Sequence, residues 1–199
     1  MNKYFIKTIV SLALLCIVLL PFSASAFESY ETTTYQFDGT RIKTPHAYET
    51  KEVLNAADLQ VDSLNKPNDV FVDKDEHVYI ADTANNRILC YDDSFKLLRI
   101  LDEFESEKGN DSLLEPKGVY VTQKGEVYIA DTGNERIVHF SPDYKYIRSI
   151  GRPNTKLLDE SFVFSPISVV VDEYGRIFIV AENVIYGLIE LDEVTGDFK

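Results

Sequence analysis

From residue 64 onward, apolar positions fall in short β-branched and aromatic runs that alternate with polar ones and end at turn formers. The first stretch predicts strands over about 68–73, 77–82, 87–92 and 97–101. Lys74-Asp75-Glu76, Thr83 to Asn86, and Asp93-Ser94-Phe95-Lys96 connect them. Apolar residues at three- and four-residue spacing, which a helical repeat needs, are absent from these runs.

The same pattern then repeats. Pro67 to Pro116 is 49 residues, and Asp82 to Asp131 is 49 again. A third, worn copy starts at Ser165-Pro166, runs through Val169 to Asp172 and Arg176 to Val180, and ends at Gly187 to Asp192. Four short antiparallel strands at this period describe one blade of a propeller. WD-type and kelch-type blades are disfavoured, because the chain has no tryptophan and no Gly-Gly doublet.

The residues Pro67, Val70-Phe71-Val72-Asp73, Val78-Tyr79-Ile80-Ala81-Asp82-Thr83, Asn85 and Arg87-Ile88, with their copies from Pro116 to Ile137, resemble the NHL repeat. The layout is similar to uncharacterised secreted bacterial NHL-repeat proteins. The resemblance implies an all-β fold, a β-propeller of NHL-type four-stranded blades. Three blades are present, at about 64–101, 114–151 and 164–199, as part of a six-bladed ring.

Residues 27–63 precede these blades. Glu31 to Phe37 and Arg41-Ile42-Lys43 flank an Asp-Gly turn and predict a hairpin. Lys51 to Leu54 reads as the outer strand of a preceding blade, and Thr195 to Lys199 as a turn leading into another outer strand. Half a ring exposes apolar faces and strand edges. The expectation is therefore a fragment of a longer protein, or a chain that closes by assembling with copies of itself.

The first 26 residues carry Lys3 and Lys7, an apolar run from Ile9 to Leu20, and the small-residue pattern Ala24-Ser25-Ala26. That is a secretory signal peptide, with cleavage expected after Ala26 and an extracellular destination. The alternative is membrane anchoring by an uncleaved signal. Cys16 lies inside the apolar run and only Cys90 follows it, so no disulfide framework is expected within the chain.

The chain has 33 acidic and 20 basic residues and a net charge of −13, which argues against nonspecific nucleic-acid binding. The loop Asp102 to Glu115 holds six acids and one lysine and reads as a solvated acidic loop. Its carboxylates lack the alternating spacing of a Ca²⁺ loop.

Asp82, Asn85 and Arg87, and their copies Asp131, Asn134 and Arg136, recur in blade after blade and so read as scaffold. The Asp is expected to accept N–H groups of the loop that follows it, and the Arg to reach a carboxylate. Asn85 and Gly133 are the residues expected to take the left-handed conformation. Symmetry breaks in the third copy, where Glu182 and Asn183 are the candidate ligand-binding residues, with oxygen donors suited to a hard cation or a sugar. Cys90 and His139 occupy equivalent positions and read as a packed thiol and a satisfied histidine. No catalytic constellation, metal site or cofactor motif is identified. The reading is a secreted, non-enzymatic binding module for a protein, glycan or small ligand. A metal-dependent propeller enzyme, lactonase-like or lyase-like, and a self-associating half-propeller are the alternatives.

Overall fold

The structure is a computed structural model that describes residues 33–43, 52–156, 158–159, 161–182 and 188–192. The chain forms two units, Met1–Val53 and Leu54–Lys199. In the first, β1 (Thr33–Tyr35) and β2 (Arg41–Lys43) pair antiparallel. Gly39 turns the hairpin at φ +83°, and Asp38 accepts the N–H of Thr40 at 2.9 Å. Lys51 of the expected outer strand lies outside the described residues. Residues 52–54 carry no strand.

The second unit is built of blades. Blade 1 comprises β3 (Pro67–Val72), β4 (Val78–Asp82), β5 (Arg87–Tyr91) and β6 (Leu97–Leu101), paired in that order as an antiparallel sheet. Between blades lie β7 (Glu103–Ser106) and β8 (Gly109–Ser112). Blade 2 repeats the first as β9 (Pro116–Val121), β10 (Val127–Asp131), β11 (Arg136–Phe140) and β12 (Tyr146–Ile150). Blade 3 contributes β13 (Ser165–Val171), β14 (Arg176–Glu182) and β15 (Ile189–Asp192) among the described residues. The chain is thus all-β, a partial β-propeller of four-stranded blades, and no helix among the described residues is long and apolar enough to cross a membrane.

Alternation along the strands decides what packs where. In blade 1, Tyr79, Ala81, Ile88 and Cys90 face forward onto Val119, Val121, Val127 and Ile129 of blade 2. Blade 2 in turn lays Tyr128, Ala130, Ile137 and Ile150 on Val169, Val171, Ile177 and Ile179 of blade 3. Each large apolar side chain buried this way stabilises by about 1.5–3 kcal/mol. The innermost strands β3, β9 and β13 lie side by side, so their first residues gather at one end of the central axis.

Polar links reinforce these joints. Thr83 donates its hydroxyl to the carbonyl of Pro116 at 2.8 Å, and Thr132 does the same to Pro166 at 2.5 Å. Asp69 accepts the N–H of Val119 at 3.0 Å. The copy of Asp69 is Gly118, where a Cβ would stand 2.6 Å from the carbonyl oxygen of Ile167, so the approach of blade 3 requires glycine.

The segment expected as a solvated acidic loop is instead the β7–β8 hairpin. Its acids alternate with Phe104, which packs edge-on against Phe140 at 5.0 Å and stacks with Tyr146 at 5.6 Å. Leu113 is buried beside it, so the polar composition belongs to one face only.

Candidate functional site

The recurring Asp, Asn and Arg stand at the ends of β4 and β10, where each blade receives the connection that leads into it. Asp82 accepts the N–H of Asn65 on Oδ1 at 2.7 Å, and Asp131 accepts that of Leu114 at 2.7 Å. The acceptor role therefore serves the preceding connection, not the loop after the strand, because the incoming backbone crosses directly over the carboxylate.

On the other oxygen the two blades again agree. Asn85 Nδ2 and Arg87 Nε donate to Asp82 Oδ2, both at 2.8 Å. Asn134 Nδ2 and Arg136 Nε donate to Asp131 Oδ2 at 2.9 and 2.7 Å. Both Asn side chains also donate to a connection carbonyl, Ser63 or Ser112, at 3.0 Å. Arg136 goes further and holds Asp111 of β8 through Nη1 and Nη2 at 2.7 and 3.0 Å. That pairing holds the Asp111 carboxyl below the usual range. Burial pushes the Asp131 carboxyl up, against the N–H of Leu114 and the Asn134 and Arg136 donors.

The left-handed residues are Asn86 and Glu135, both at φ 56°, and not Asn85 or Gly133. Each follows a short 3-10 turn, Thr83–Asn85 or Thr132–Asn134, and ends it by donating to the Thr carbonyl. Gly133 is required for space: a Cβ there would sit 2.6 Å from Leu114 Cγ and 2.8 Å from Leu114 O.

Blade 3 departs from this scheme. Its β14 pairs Ala181 with Pro166, as Asp131 pairs with Pro116, so Ala181 stands in the aspartate place and Glu182 in the threonine place. Glu182 Oε1 meets Lys117 Nζ of blade 2 at 2.5 Å, beside the start of the innermost strands. Lys117 was not among the sequence candidates. The contact spans 65 residues and joins two blades, so no local pattern announces it. Asn183 lies outside the described residues.

Among the described residues, Asp73, Asp75 and His77 bring metal-ligating atoms within 4.8 Å of one another. Asp73 Oδ1 already accepts the N–H groups of Asp75 and His77, each at 2.9 Å, and Oδ2 faces His77 Nδ1 at 3.0 Å. Asp172 makes the same turn in blade 3 with Tyr174 and Arg176, so this is first a way of closing the hairpin.

Cys90 is buried, with Sγ 3.6 Å from the Tyr144 hydroxyl, and burial pushes its thiol up. His139 stacks on Tyr128 at 4.0 Å. Neither of its ring nitrogens has a hydrogen-bond partner among the described residues, so the expectation of a satisfied histidine fails. Its nearest carboxylate, Glu126, is 3.8 Å away. Burial and the charge of Arg148 lower its pKa to about 4. At the opposite end of the strands from Lys117, a cleft of about 230 Å³ opens between the β9–β10 and β13–β14 turns, lined by Tyr120, Thr122, Lys124, Glu126, Val171 and Glu173.

No curated protein matches this sequence. Among solved structures, the chain is similar to hydrazine synthase of Kuenenia stuttgartiensis, with 10% identity and a TM-score of 0.51 over 77% of this chain and 38% of that one. It is likewise similar to a chain of the nidogen/laminin complex, with 14% identity and a TM-score of 0.50 over 84% of this chain and 53% of that one. This chain thus spans about half the length of these structures or less, and at such identity the likeness carries the fold alone. The family model of the SMP-30/Gluconolactonase/LRE-like region matches residues 29–160, in agreement with the propeller blades. The chain belongs to the SMP-30/gluconolactonase/LRE-like family of six-bladed propellers.

Proposed function

We propose that this chain is a non-enzymatic binding propeller, exported through the signal-like residues 1–26, whose blades hold loops that engage a protein, a glycan or a small ligand. One observation carries the reading. Asp82, Asn85, Arg87 and their copies bond to one another and to backbone N–H and carbonyl groups of their own blade's incoming connection. Where blade 3 breaks the pattern, Glu182 is paired to Lys117, so this carboxylate already has its cation. The net charge of −13 favours neutral or basic partners over nucleic acid.

The family description favours a second reading, a metal-dependent enzyme acting on a lactone. One experiment separates the two. Purified protein is analysed for bound metal, then assayed with glucono-1,5-lactone in the presence and absence of Ca²⁺ and Zn²⁺, and in parallel applied to a glycan array and a panel of basic peptides. The binding reading expects no stoichiometric metal, hydrolysis at the uncatalysed rate, and saturable retention on one class of probe. Metal-dependent lactone hydrolysis would overturn it, and so would a failure to retain any probe.

A further inference from the structure

The three blades close their first hairpin with the same turn and charge it differently. In each, the backbone N–H of the residue after the innermost strand donates to the carbonyl four residues on: Asp73 to His77, Thr122 to Glu126 and Asp172 to Arg176. In blade 3 the turn carboxylate has a fixed cation, since Arg176 donates to Asp172 Oδ2 through Nε at 2.7 Å and Nη2 at 2.6 Å. In blade 2 the uncharged Thr122 stands in that place, and its hydroxyl accepts the N–H of Glu126 at 3.1 Å. Blade 1 has the carboxylate without the arginine.

That carboxylate is well enclosed. The Asp73 side chain is 8% exposed, and among the described residues no lysine or arginine pairs with it. A buried carboxylate without a cation is costly. His77 occupies the arginine's place and brings a nitrogen donor, with Nδ1 3.0 Å from Asp73 Oδ2. Asp73 Oδ1 is committed to the turn by the N–H groups of Asp75 and His77, which leaves Oδ2 to meet an ion. The Tyr79 hydroxyl donates to Oδ2 at 3.3 Å and orients it, as the partners behind a metal-bound carboxylate do. The exposed Asp75 carboxylate completes a group whose ligating atoms all lie within 4.8 Å of one another. Its ion pair with Lys74, at 2.5 Å, is exposed on both sides and so a weak competitor.

We infer that Asp73, Asp75 and His77 form a site for a divalent first-row transition ion such as Zn²⁺. Two donors on one such ion, each at about 2.0–2.1 Å, stand about 3.3 Å apart in tetrahedral geometry. Oδ2 and Nδ1 are already close to that separation. The imidazole selects against Ca²⁺ and Mg²⁺, which take oxygen ligands. An ion held by three donors of one short turn, with water completing its shell, exchanges readily, so it is taken up from solution and not carried through purification. The site lies past the end of β3, away from the Lys117–Glu182 contact, and it stands whether the chain binds a partner or hydrolyses a lactone.

The test is calorimetric titration of the full chain, stripped with chelator and dialysed, with Zn²⁺ and separately with Ca²⁺. One Zn²⁺ per chain is expected, bound about tenfold or more tightly than Ca²⁺. His77→Arg copies blade 3 and supplies the fixed cation, so it is expected to abolish the uptake while strand circular dichroism and the melting transition are kept. Asp75→Ala removes one donor at an exposed position, weakens Zn²⁺ by about tenfold or more, and decides the matter should His77→Arg disturb the fold. No uptake of Zn²⁺, Ca²⁺ bound as tightly as Zn²⁺, or Zn²⁺ binding that either folded variant leaves intact would each overturn the inference.

Discussion

Arg136 Nε lies 2.7 Å from Asp131 Oδ2, and that carboxylate is wholly buried. The guanidinium also grips Asp111 of the β7–β8 hairpin, so one side chain ties the end of β10 to the connection entering its blade. Blade 1 has the same Asp–Arg contact at 2.8 Å, and among the described residues Arg87 has no second carboxylate partner. In blade 3 the aspartate position is Ala181, and the strand pairing persists. The fold therefore accepts either a complete polar cluster here or an apolar residue.

Removing one member alone should be costly. Arg136→Ala leaves Asp131 buried without its cation, and a loss of about 3 kcal/mol is expected. The double variant Asp131→Ala, Arg136→Met removes the charge together with its partner and should be more stable than the sum of the single changes predicts. A double-mutant cycle by urea denaturation measures the coupling, and additive losses would contradict it.

The threonine links make a sharper case, because Thr→Val keeps shape and removes only a donor. In Thr132→Val the buried carbonyl of Pro166 loses the hydroxyl that reaches it at 2.5 Å. A loss of about 1–2 kcal/mol is expected, read as a lower urea midpoint at unchanged slope. A neutral result would mean that the blade 2–blade 3 joint rests on apolar packing alone.

Much of this architecture was legible in the order of residues, and the exceptions have physical causes. Strict alternation and the 49-residue offset between Asp82 and Asp131 locate the strands, because each blade solves one burial problem twice. The β7–β8 hairpin was hidden by composition: the six acids from Asp102 to Glu115 outweigh Phe104 in any average, although Phe104 between Glu103 and Glu105 already shows the period of two. Glu135 in the left-handed region runs against its own preference, and only the shared 3-10 turn imposes it. Glu182 could be singled out as a break in symmetry, but its pairing with Lys117 depends on how two blades meet.

Gly118 tests that meeting directly. A methyl group there would stand 2.6 Å from a backbone oxygen of blade 3, and backbone cannot rotate away as a side chain does. Gly118→Ala should cost about 1–3 kcal/mol through overpacking. The same change at Gly39, where nothing lies within 4 Å, adds no clash, only the strain of φ +83°. A thermal melt of the two variants compares them. Equal and small shifts would mean that the blades are free to separate at this point.

His139 predicts a pH dependence whose sign follows from its surroundings. Its folded pKa is about 4, held down by burial and by Arg148, against about 6.5 in an unfolded chain. Glu126, at 3.8 Å, is the one carboxylate close to the ring among the described residues, and Tyr128 covers its face. Between the two pKa values the unfolded chain holds more protons, so stability falls as pH drops from about 6.5 toward 4 and the slope fades below that. His139→Phe keeps a ring against Tyr128 and removes the titrating group. The wild type should lose about 2 kcal/mol more than this variant between about pH 7 and pH 4.5, as seen in their urea midpoints. Carboxylates titrate in both proteins and largely cancel in the difference. A gap that does not change with pH would show that His139 exchanges protons with solvent as readily folded as unfolded.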